Sequence, residues 1–568
     1  MIDLGSGGGA PNPKRKRGSV PGIRIAGWVP CPQRMTSIDV NAAMGRVGLP
    51  APAAELAKRD WDAIVVGGGH NGLTAAAYLA RAGRLVLVLE RRDRLGGACT
   101  LERPFSDQRY VISPCAYVVG LLDPVVISEL GLERRGSKVT PADPNLWCPL
   151  GDGTSYAGFI DPARTATHLR QQGFAEADIA GLAEFGAVFD RIRDRLRAGA
   201  GGDTWRRPSP RRAEIERLLD DEELISVVFE ESIAAMLERY VDDARIRDAI
   251  ACQGTIGTFA GPRDPGTASV RLMHRQGDLL GLGSVWGYVE GGIGRVSFAI
   301  AEAALDAGAE IAAGVPVASI RPGEGVELES GELLRAPVVV CNADPKRMLS
   351  MLDAGAADVP ADYRERLEGW DVRSPVLKLN LAMRRFPTFD AANGVEPERA
   401  QVTITDGIDA VQAAVAAARR GVPAIGFCEL YFQSAYDDSV APPGHEVMSV
   451  FCQYTPYELA DGDWDSRRDE IAALALDLIA SRAPDVRECI EEMQVLGPPD
   501  IERRIGLSGG HIFQGEALPS QMWDRRLEAE TPIEGVWLCG AATHPGGAVI
   551  ALNGRIAALG VLDLTEPG

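Results

Sequence analysis

Short runs of consecutive apolar residues, each followed by a glycine-rich turn, are the most informative pattern in this chain. Ala63–Val66 is one such run and residues 85–89 form another, with an Ala- and Leu-rich segment at 73–82 between them. Short apolar runs bounded by turns predict buried strands, and the longer Ala- and Leu-rich segment predicts a helix. The stretch from Trp61 to Gly97 therefore predicts a strand–helix–strand unit.

The same rules predict further elements along the chain. Strands are predicted at 310–320, 337–341, 376–382 and 535–539, and helices at 467–482 and 548–559. One set of apolar residues recurs at helical spacing and predicts a single helical stripe that either packs into the core or lines a groove. Its members are Ile225, Val228, Phe229, Ile233, Met236, Leu237 and Tyr240.

A glycine motif, Gly67-x-Gly69-x-x-Gly72, directly follows the first predicted strand and precedes the predicted helix. In a dinucleotide-binding unit the first glycine makes the tight turn, the second admits the pyrophosphate and the third lets helix and strand pack closely. Glu90 lies 18 residues after Gly72, at the end of the second strand. A carboxylate there binds the ribose hydroxyls of a dinucleotide and disfavours a 2′-phosphate.

The residues after Glu90 distinguish a flavin from a nicotinamide cofactor. Arg91 and Arg92 are followed by the doublet Gly96-Gly97. Adjacent glycines let the backbone approach a second phosphate, with arginine nearby to pair with it. A simple NAD dehydrogenase does not need this second contact, so the Gly96-Gly97 doublet favours FAD over NAD. The loop Gly291–Gly294 has no predicted strand before it, so we do not assign it to NAD(P).

Composition and charge narrow the class of protein. The 568 residues carry a net charge of -20, which argues against nucleic-acid binding by the whole surface. Neither a run of eighteen apolar residues nor a C-x-x-C pair occurs, so we predict no membrane span, no redox dithiol and no zinc site. The scattered cysteines are typical of a reduced, intracellular, cytoplasmic protein. Peripheral membrane contact and homo-oligomerisation are both compatible with the sequence.

The first 58 residues differ from the rest, with eight Lys and Arg residues against three Asp and Glu and a basic run at 13–17. We predict a disordered basic tail. A nuclear import signal, an organelle transit segment, and translated upstream sequence with the true start at Met35 or Met44 stay open as alternatives.

Four segments together resemble the phytoene desaturase-like FAD-dependent oxidoreductases, and among them the branch that contains pyridine nucleotide-disulfide oxidoreductase domain-containing protein 2. They are GGGHNGLTAAAYLARAGRLVLVLERRDRLGGA, VWGYVEGGIGRVSFAIAEAALDAGAEI, GGHIFQGEALPSQMW and LCGAATHPGGAVIALNGRIAA. The sequence departs from the family where His511 and Gln514 replace the expected Asn and His. That segment is expected to border the substrate, so the departure leaves the substrate open.

The resemblance implies an α/β fold: a Rossmann-like FAD domain of the glutathione-reductase structural type, interleaved with a substrate domain. We expect FAD-domain pieces at 59–150, 286–350 and 501–568, a helical substrate-side insertion at 151–285 and a second substrate-side piece at 351–500. The final helix is expected to direct its N-terminus toward the flavin ring, where its partial positive charge would stabilise the reduced form.

The resemblance also implies a set of site residues. The expected FAD-binding residues are Gly67, Gly68, Gly69, His70, Asn71, Gly72, Glu90, Arg91, Arg92, Gly96, Gly97, Ala98, Val317, Ala343, Gly540, Ala541, His544, Pro545, Gly546, Gly547, Ala548 and Val549. On the substrate side it places Ser113, Tyr117, Trp286, Tyr288 and His511. His544 is the one candidate for catalysis, although contact with the cofactor is the favoured role.

The expected reaction is hydride transfer from a substrate C–H bond to the flavin, which creates a C=C bond in an isoprenoid, polyene or acyl chain. Oxygen or a quinone is the expected electron acceptor. Two alternatives stay open: an amine oxidase-like enzyme, and a binding protein that holds a lipid or a protein partner on the same fold without turnover.

Overall fold

The computed structural model describes residues 53–199 and 201–563. Its helices are α1 Ala53–Leu56, α2 His70–Arg81, α3 Pro124–Leu130, α4 Pro162–Gln171, α5 Glu176–Arg197, α6 Arg212–Leu219, α7 Glu222–Phe229, α8 Ile233–Tyr240, α9 Ala244–Ala251, α10 Thr267–His274, α11 Gly294–Asp306, α12 Pro345–Ala354, α13 Ala361–Glu368, α14 Ile408–Ala418, α15 Trp464–Ala480, α16 Val486–Cys489, α17 Pro498–Ile505 and α18 Leu552–Val561.

Within the described residues the strands form four sheets. They are β1 Ala63–Val66, β2 Val86–Glu90, β3 Val139–Pro141, β4 Leu146–Pro149, β5 Ser155–Gly158, β6 Gly287–Val289, β7 Glu310–Ala313, β8 Val317–Arg321, β9 Gly325–Leu328, β10 Leu333–Arg335, β11 Val338–Cys341, β12 Val376–Met383, β13 Val402–Thr405, β14 Phe427–Tyr431, β15 Glu446–Gln453, β16 Ile490–Leu496 and β17 Val536–Leu538. The sheet orders are β17-β11-β1-β2-β7, β10-β9-β8, β16-β12-β15-β14-β13-β4-β5 and β3-β6.

The five-stranded sheet is parallel throughout and draws its strands from three separate stretches of the chain. All residues of β1 and β2 are buried, as expected for a parallel sheet covered on both faces. Helices α11 and α18 each pack against α2 beside it. This doubly covered parallel sheet confirms the predicted α/β class with a Rossmann-like domain.

The seven-stranded sheet separates an apolar core from a second, more polar face. Along β12 the residues Leu377, Leu379 and Leu381 pack into one core cluster. Lys378 and Asn380 alternate with them and therefore point to the opposite face. β4 belongs to this sheet although it falls in the range 59–150, so the chain enters the second sheet before residue 150.

Two elements predicted as continuous are interrupted. Residues 310–320 form two strands in different sheets, β7 and β8, because Gly314 turns the chain with φ +73. The apolar stripe from Ile225 to Tyr240 is divided between α7 and α8, and Ser232 caps the second helix by accepting the backbone N–H of Ala235 at 3.1 Å. Periodicity alone does not reveal such a break.

Two predicted boundaries also move. The last helix begins at Leu552 rather than near 548, because Ala548, Val549 and Ala551 have positive φ angles of 78, 57 and 66. Most of the predicted basic tail lies outside the described residues, but its end does not. α1 is helical and its Leu56 is buried in the core of the parallel sheet, so the predicted disorder to residue 58 extends too far.

The Gly291–Gly294 loop does follow a strand, β6, contrary to the sequence expectation. That strand pairs antiparallel with β3 and lies outside the parallel sheet, so the loop lacks the setting of a dinucleotide site. No helix in the described part of the chain is both long enough and apolar enough to span a membrane.

The contact between α2 and α18 leaves no room for a side chain at Gly554. A Cβ there would lie 2.0 Å from the Asn71 carbonyl oxygen. We predict that Gly554→Ala destabilises the fold by about 2 kcal/mol, measured by thermal or urea unfolding. The matched control is Gly186→Ala in α5, where a Cβ meets no heavy atom within 4 Å and should stabilise the helix by up to about 1 kcal/mol. Equal effects at both positions would contradict this account of the contact.

Candidate functional site

A cleft of about 360 Å³ lies at the carboxyl ends of β1, β2 and β11, where ligands bind in parallel α/β sheets. Of the predicted cofactor residues, those that line it are Gly67, Gly69, His70, Asn71, Glu90, Arg91, Gly96, Gly97, Ala98, Val317, Ala343 and Ala541. These residues come from three distant segments of the chain. The fold therefore brings more than half of the predicted set to one place.

The glycine loop has the geometry that its spacing predicts. Gly67 turns the chain with φ +104 directly after β1. A Cβ at Gly72 would lie 2.2 Å from the Gly67 carbonyl oxygen, so α2 approaches the strand as closely as backbone atoms allow. The same closeness explains why Gly72 lies beneath the loop and does not line the cleft.

Glu90 joins the loop to the end of β2. Its carboxylate accepts the backbone N–H of Gly68 at 2.8 Å and that of Arg92 at 2.8 Å. Burial raises the pKa of this carboxyl group, while the two backbone hydrogen bonds oppose the rise. Each carboxylate oxygen can accept two hydrogen bonds and accepts one of these two, so one lone pair on each oxygen stays free for a ribose hydroxyl.

The Gly96-Gly97 turn lies against the glycine loop. The Gly96 N–H donates to the Gly68 carbonyl at 2.8 Å. Arg92 does not line the cleft but supports the turn from behind, donating to the Gly97 carbonyl at 3.2 Å and to Glu102 at 3.0 Å. Arg91 lines the cleft together with Arg347, which the sequence interpretation missed.

Two observations show that the cleft fits a dinucleotide, one through its phosphates and one through a hydrogen-bond donor such as a ribose hydroxyl. The first turn of α2 opens onto it behind Gly69, an N-cap residue that has no side chain to occupy the free N–H groups. The buried Oδ1 of Asn71 has no hydrogen-bond partner within the described residues, although Asn71 lines the cleft. A buried polar atom without a partner is costly, and a bound ligand could satisfy it.

An inner apolar cavity of about 140 Å³ adjoins the cleft. His70, Ala98, Leu507, Ile512 and Ala541 line both spaces. The cavity is also lined by Cys115, Ala116, Tyr117, Val118, Ile256, His274, Trp286, Val376, Lys378, Gln401, Glu429, Tyr431, Phe451, Ile501, Phe513, Ala548 and Val549. The last turn before α18 therefore contributes to the cavity through Ala548 and Val549.

Two buried charged residues face this cavity. Lys378 and Glu429 both lie opposite Phe451, on the strands that flank β15. They are thus two strand spacings apart, roughly 10 Å, on the same face of the sheet. Neither residue was predicted from the sequence. The feature that could have revealed them is a charged residue inside an otherwise apolar strand, which is rare without a function or a partner.

Lys378 is held by polar atoms and an aromatic ring. Its ammonium donates to Asn380 Oδ1 at 2.9 Å and to the Ser449 hydroxyl, and lies 4.6 Å from the centre of the Tyr117 ring. Burial lowers the pKa of Lys378 from 10.5 to about 7. The residue can therefore exchange a proton near neutral pH.

Glu429 is a buried acid, whereas Lys378 is a buried base. It accepts the Tyr431 hydroxyl at 2.8 Å and the Gln401 amide at 3.0 Å. Burial raises the pKa of Glu429 to about 7. The rings of Tyr117 and Tyr431, 4.4 Å apart, lie between Lys378 and this carboxyl group.

His544, the sequence candidate for catalysis, lies elsewhere. Its Nε2 contacts the Thr204 carbonyl oxygen at 2.7 Å in the helical insertion, and its ring lines neither the cleft nor the inner cavity. Burial lowers the pKa of His544 to about 4. The structure thus gives this histidine a packing contact, and the predicted catalytic role has no geometric support.

The other predicted cofactor residues do not line the cleft. Gly68 lies under Glu90. A Cβ at Gly540 would meet Gln514, which does line the cleft. The turn that contains Pro545, Gly546 and Gly547 lines neither space, and the Asn553 amide binds its carbonyl oxygens.

The predicted substrate-side residues divide into two groups. Tyr117 and Trp286 line the inner cavity. Ser113 instead accepts the Ile293 N–H at 3.2 Å, and the Tyr288 hydroxyl accepts the Phe432 N–H at 3.1 Å. His511 is fully buried behind Ile512 and Phe513, which face the cavity in its place. In this segment the cavity is therefore lined by the two residues that directly follow the predicted His511.

No C-x-x-C motif occurs, but folding brings two cysteines together. The sulfur atoms of Cys428 and Cys452 are 3.4 Å apart on β14 and β15. Both lie in the apolar core on the face of the sheet away from Glu429. They are therefore remote from the cavity.

The similarity of this chain to known proteins identifies its family. The family model for flavin containing amine oxidoreductases matches residues 72–558. The chain is 31% identical over 547 residues to pyridine nucleotide-disulfide oxidoreductase domain-containing protein 2 of Mus musculus, covering 88% of this chain and 93% of that one. The chain belongs to the flavin-containing amine oxidoreductase family.

More distant members of the family extend the comparison. A phytoene desaturase (neurosporene-forming) of Rhodobacter capsulatus is 25% identical over 532 residues, covering 89% of this chain and 94% of that one. The solved structure of a cyclohexylamine oxidase from Brevibacterium oxydans has the same fold, with a TM-score of 0.53, 17% identity and coverage of 89% and 99%. The predicted family and its FAD cofactor are confirmed, and the protein is an FAD-dependent oxidoreductase of the amine oxidase/desaturase family.

The Glu90 contacts generate a test of the cofactor site. We predict that Glu90→Ala weakens FAD binding to the apoprotein by about 10- to 100-fold, because two charge-assisted hydrogen bonds to the ribose are lost. Isothermal titration calorimetry measures the change. The control is Asp93→Ala, an exposed carboxylate three residues away. Unchanged affinity in a folded Glu90→Ala protein would contradict the assignment.

The lowered pKa of Lys378 predicts a dependence of stability on pH. Between pH 7 and 10.5 the unfolded chain binds a proton at this lysine that the folded chain does not, so stability falls as pH drops through that window. The full cost, about 5 kcal/mol at most, is present below pH 7.

We therefore expect Lys378→Met to be more stable than the parent at pH 6 to 7, with the advantage shrinking toward pH 10. Urea unfolding across that pH range measures it. Lys138→Met, at an exposed lysine directly before β3, is the control. A variant that is less stable than the parent at every pH would show that the hydrogen bonds of Lys378 outweigh its burial.

Proposed function

We propose that this protein is a dehydrogenase or desaturase that removes hydride from a C–H bond of a hydrophobic substrate and forms a C=C bond. The observation that carries the proposal is the apolar inner cavity, which adjoins the cofactor cleft and holds Lys378 within it. FAD, when bound, supplies the two-electron acceptor for the hydride. The similarity to a phytoene desaturase supports an apolar substrate of the isoprenoid, polyene or acyl kind.

The residues of the chain have separable roles in this reaction. Apolar side chains such as Val118, Ile256 and Phe513 exclude water and hold the carbon chain. Lys378 and Cys115 both line the inner cavity. Ala116, the residue after Cys115, donates its N–H to the carbonyl oxygen of Ala98, which also lines the cofactor cleft. Lys378 therefore lies beside the cleft. A neutral Lys378 amine is placed to accept the proton from the carbon next to the one that loses hydride.

The atoms and electrons balance. The substrate loses one hydride and one proton, the electrons of the second C–H bond become the new π bond, and the lysine becomes an ammonium ion. Oxygen or a quinone then takes the two electrons. Each turnover therefore needs one equivalent of acceptor, and Lys378 must release its proton before the next turnover.

The visible spectrum tests the cofactor and the redox chemistry together. We predict flavin absorption bands that bleach with dithionite and recover in air. Substrate screening then compares anaerobic bleaching by polyenes, acyl chains and amines. Bleaching by amines alone would favour the amine oxidase-like alternative, and a protein whose FAD is never reduced by dithionite would contradict any enzymatic role.

A pH profile identifies the proton acceptor. Because the neutral amine is the active form, kcat/KM should rise with pH through about 7. We expect Lys378→Met to lose about 100-fold or more of kcat and to lose this rise. Glu429→Gln is the matched variant, since Glu429 lies across Phe451 from Lys378 and its pKa is raised to about 7, the value to which that of Lys378 is lowered. Loss of the rise in Glu429→Gln but not in Lys378→Met would assign the base to Glu429.

A further inference from the structure

A second, larger cavity adjoins the inner one. Its volume is about 480 Å³, and Trp286 and His274 line both spaces. It is bounded by α4, α5, α10, the edge of β5 and the loop before β6. We call it the outer cavity and define it by Asn145, Leu146, Tyr156, Gly158, Phe159, Ile160, Pro162, Thr165, Ala166, Leu169, Ile179, Leu182, Ala183, Phe185, Gly186, Asp190, Arg193, Gln253, Arg271, His274, Arg275, Leu282, Gly283, Ser284, Val285 and Trp286.

The charges that line the outer cavity are unbalanced. Three arginines, Arg193, Arg271 and Arg275, face one carboxylate, Asp190, in a protein whose overall charge is -20. Asp190 pairs with both Arg193 and Arg275, each at 3.0 Å, and Arg193 also pairs with Asp194 at 3.1 Å. Two carboxylates for three arginines leave net positive charge at this end of the cavity.

Arg271 is the cation that lacks an acidic partner. Among the described residues no carboxylate lies within 4.0 Å of it; its Nη1 donates to Gln253 Oε1 at 2.8 Å. The rings of Phe185 and Phe189 lie 5.3 and 5.7 Å from its guanidinium carbon. Burial, together with the smaller effect of the nearby Arg275, lowers the pKa of Arg271 to about 9, and its buried Nε has no hydrogen-bond partner among the described residues. A desolvated guanidinium with free N–H groups is a binding site for an anion.

The boundary between the two cavities consists of aromatic side chains. The rings of His274 and Trp286 have their centres 6.0 Å apart. The His274 Nδ1 contacts the Val270 carbonyl oxygen at 2.9 Å, and burial lowers the pKa of this histidine to about 4. The boundary is therefore uncharged at neutral pH and suits an apolar chain.

The outer cavity reaches the surface beside a pair of exposed leucines. Leu282, at its rim, is 46% exposed and Leu280 in the same loop is 50% exposed. Asp190 is also accessible at this end. A ligand can thus enter from solvent, with its apolar part directed inward.

We propose that the outer cavity binds the anionic head group of the substrate, a carboxylate or a phosphate, through Arg271 and Arg275. The apolar chain of that substrate passes alongside Trp286 and His274, which line both cavities, into the inner cavity. The proposal rests on the proposed function for the chemistry at the inner end, and it adds the substrate class: an amphiphile with one negatively charged end.

Three probes of equal chain length test the head group: dodecanoate, dodecyl phosphate and dodecan-1-ol. Each is titrated into the FAD-loaded protein by isothermal titration calorimetry at pH 7.5. We expect one of the anions to bind with one-to-one stoichiometry, and the alcohol to bind about tenfold or more weakly. The tighter of the two anions identifies the head group.

Variants locate the site. Arg271→Gln should weaken binding of the anion about tenfold and leave the alcohol unchanged, while Arg271→Lys should retain part of the affinity. Arg217→Gln, at an exposed position of α6 outside the cavity, is the control. Equal affinity for the alcohol and the anions, or no effect of Arg271→Gln in the folded protein, would overturn the proposal.

The flavin spectrum tests whether the chain passes the boundary. A chain that reaches the inner cavity should shift the visible flavin bands on titration, with the same midpoint as the calorimetric curve. Binding without a shift would show that the ligand stays in the outer cavity and would overturn that part. Failure of the proposed function has a different signature, namely tight anion binding with no turnover of any bound substrate.

Discussion

The contact between the glycine loop and α2 is the constraint on which the rest of the site depends. Gly72 lies so close to the Gly67 carbonyl oxygen that any side chain would separate helix from strand. This closeness directs the first turn of α2 into the cleft and places the Gly68 N–H on the Glu90 carboxylate. Glu90 in turn fixes Arg92, which supports the Gly96-Gly97 turn. A chain of backbone contacts therefore shapes the cofactor cleft before any ligand is present.

The inner cavity depends on a different feature, the alternation of side chains across the seven-stranded sheet. One face of β12, β14 and β15 supplies the apolar core, and the other supplies Lys378, Glu429 and Phe451. The core face stabilises the sheet, which lets the opposite face hold two charged groups away from water at a cost in free energy. Both groups have pKa values moved to about 7, a common property of residues that transfer protons.

The two cavities and the cleft lie in series, and their polarity changes along the way. The outer cavity carries net positive charge, the boundary at Trp286 and His274 is apolar, and the inner cavity is apolar apart from its proton-exchanging groups. The cleft is polar again, with the glycine loop and Arg91. Such an order suits a substrate with a charged end and an oxidisable carbon chain, since each part meets the environment that it prefers.

The sequence by itself determined the cofactor half of this protein. The strand at Ala63–Val66, the loop glycines and Glu90 are close in sequence, and their geometry follows from backbone sterics that hold in any fold of this kind. The tertiary structure decided the substrate half. Lys378 and Glu429 are 51 residues apart in the sequence. They line the same cavity only because two antiparallel pairings place both opposite Phe451. His544 and His511 were predicted at the site because of their residue type, but packing directs their rings elsewhere. Local sequence specifies local turns, whereas the contents of a cavity depend on which distant strands pair and in which register.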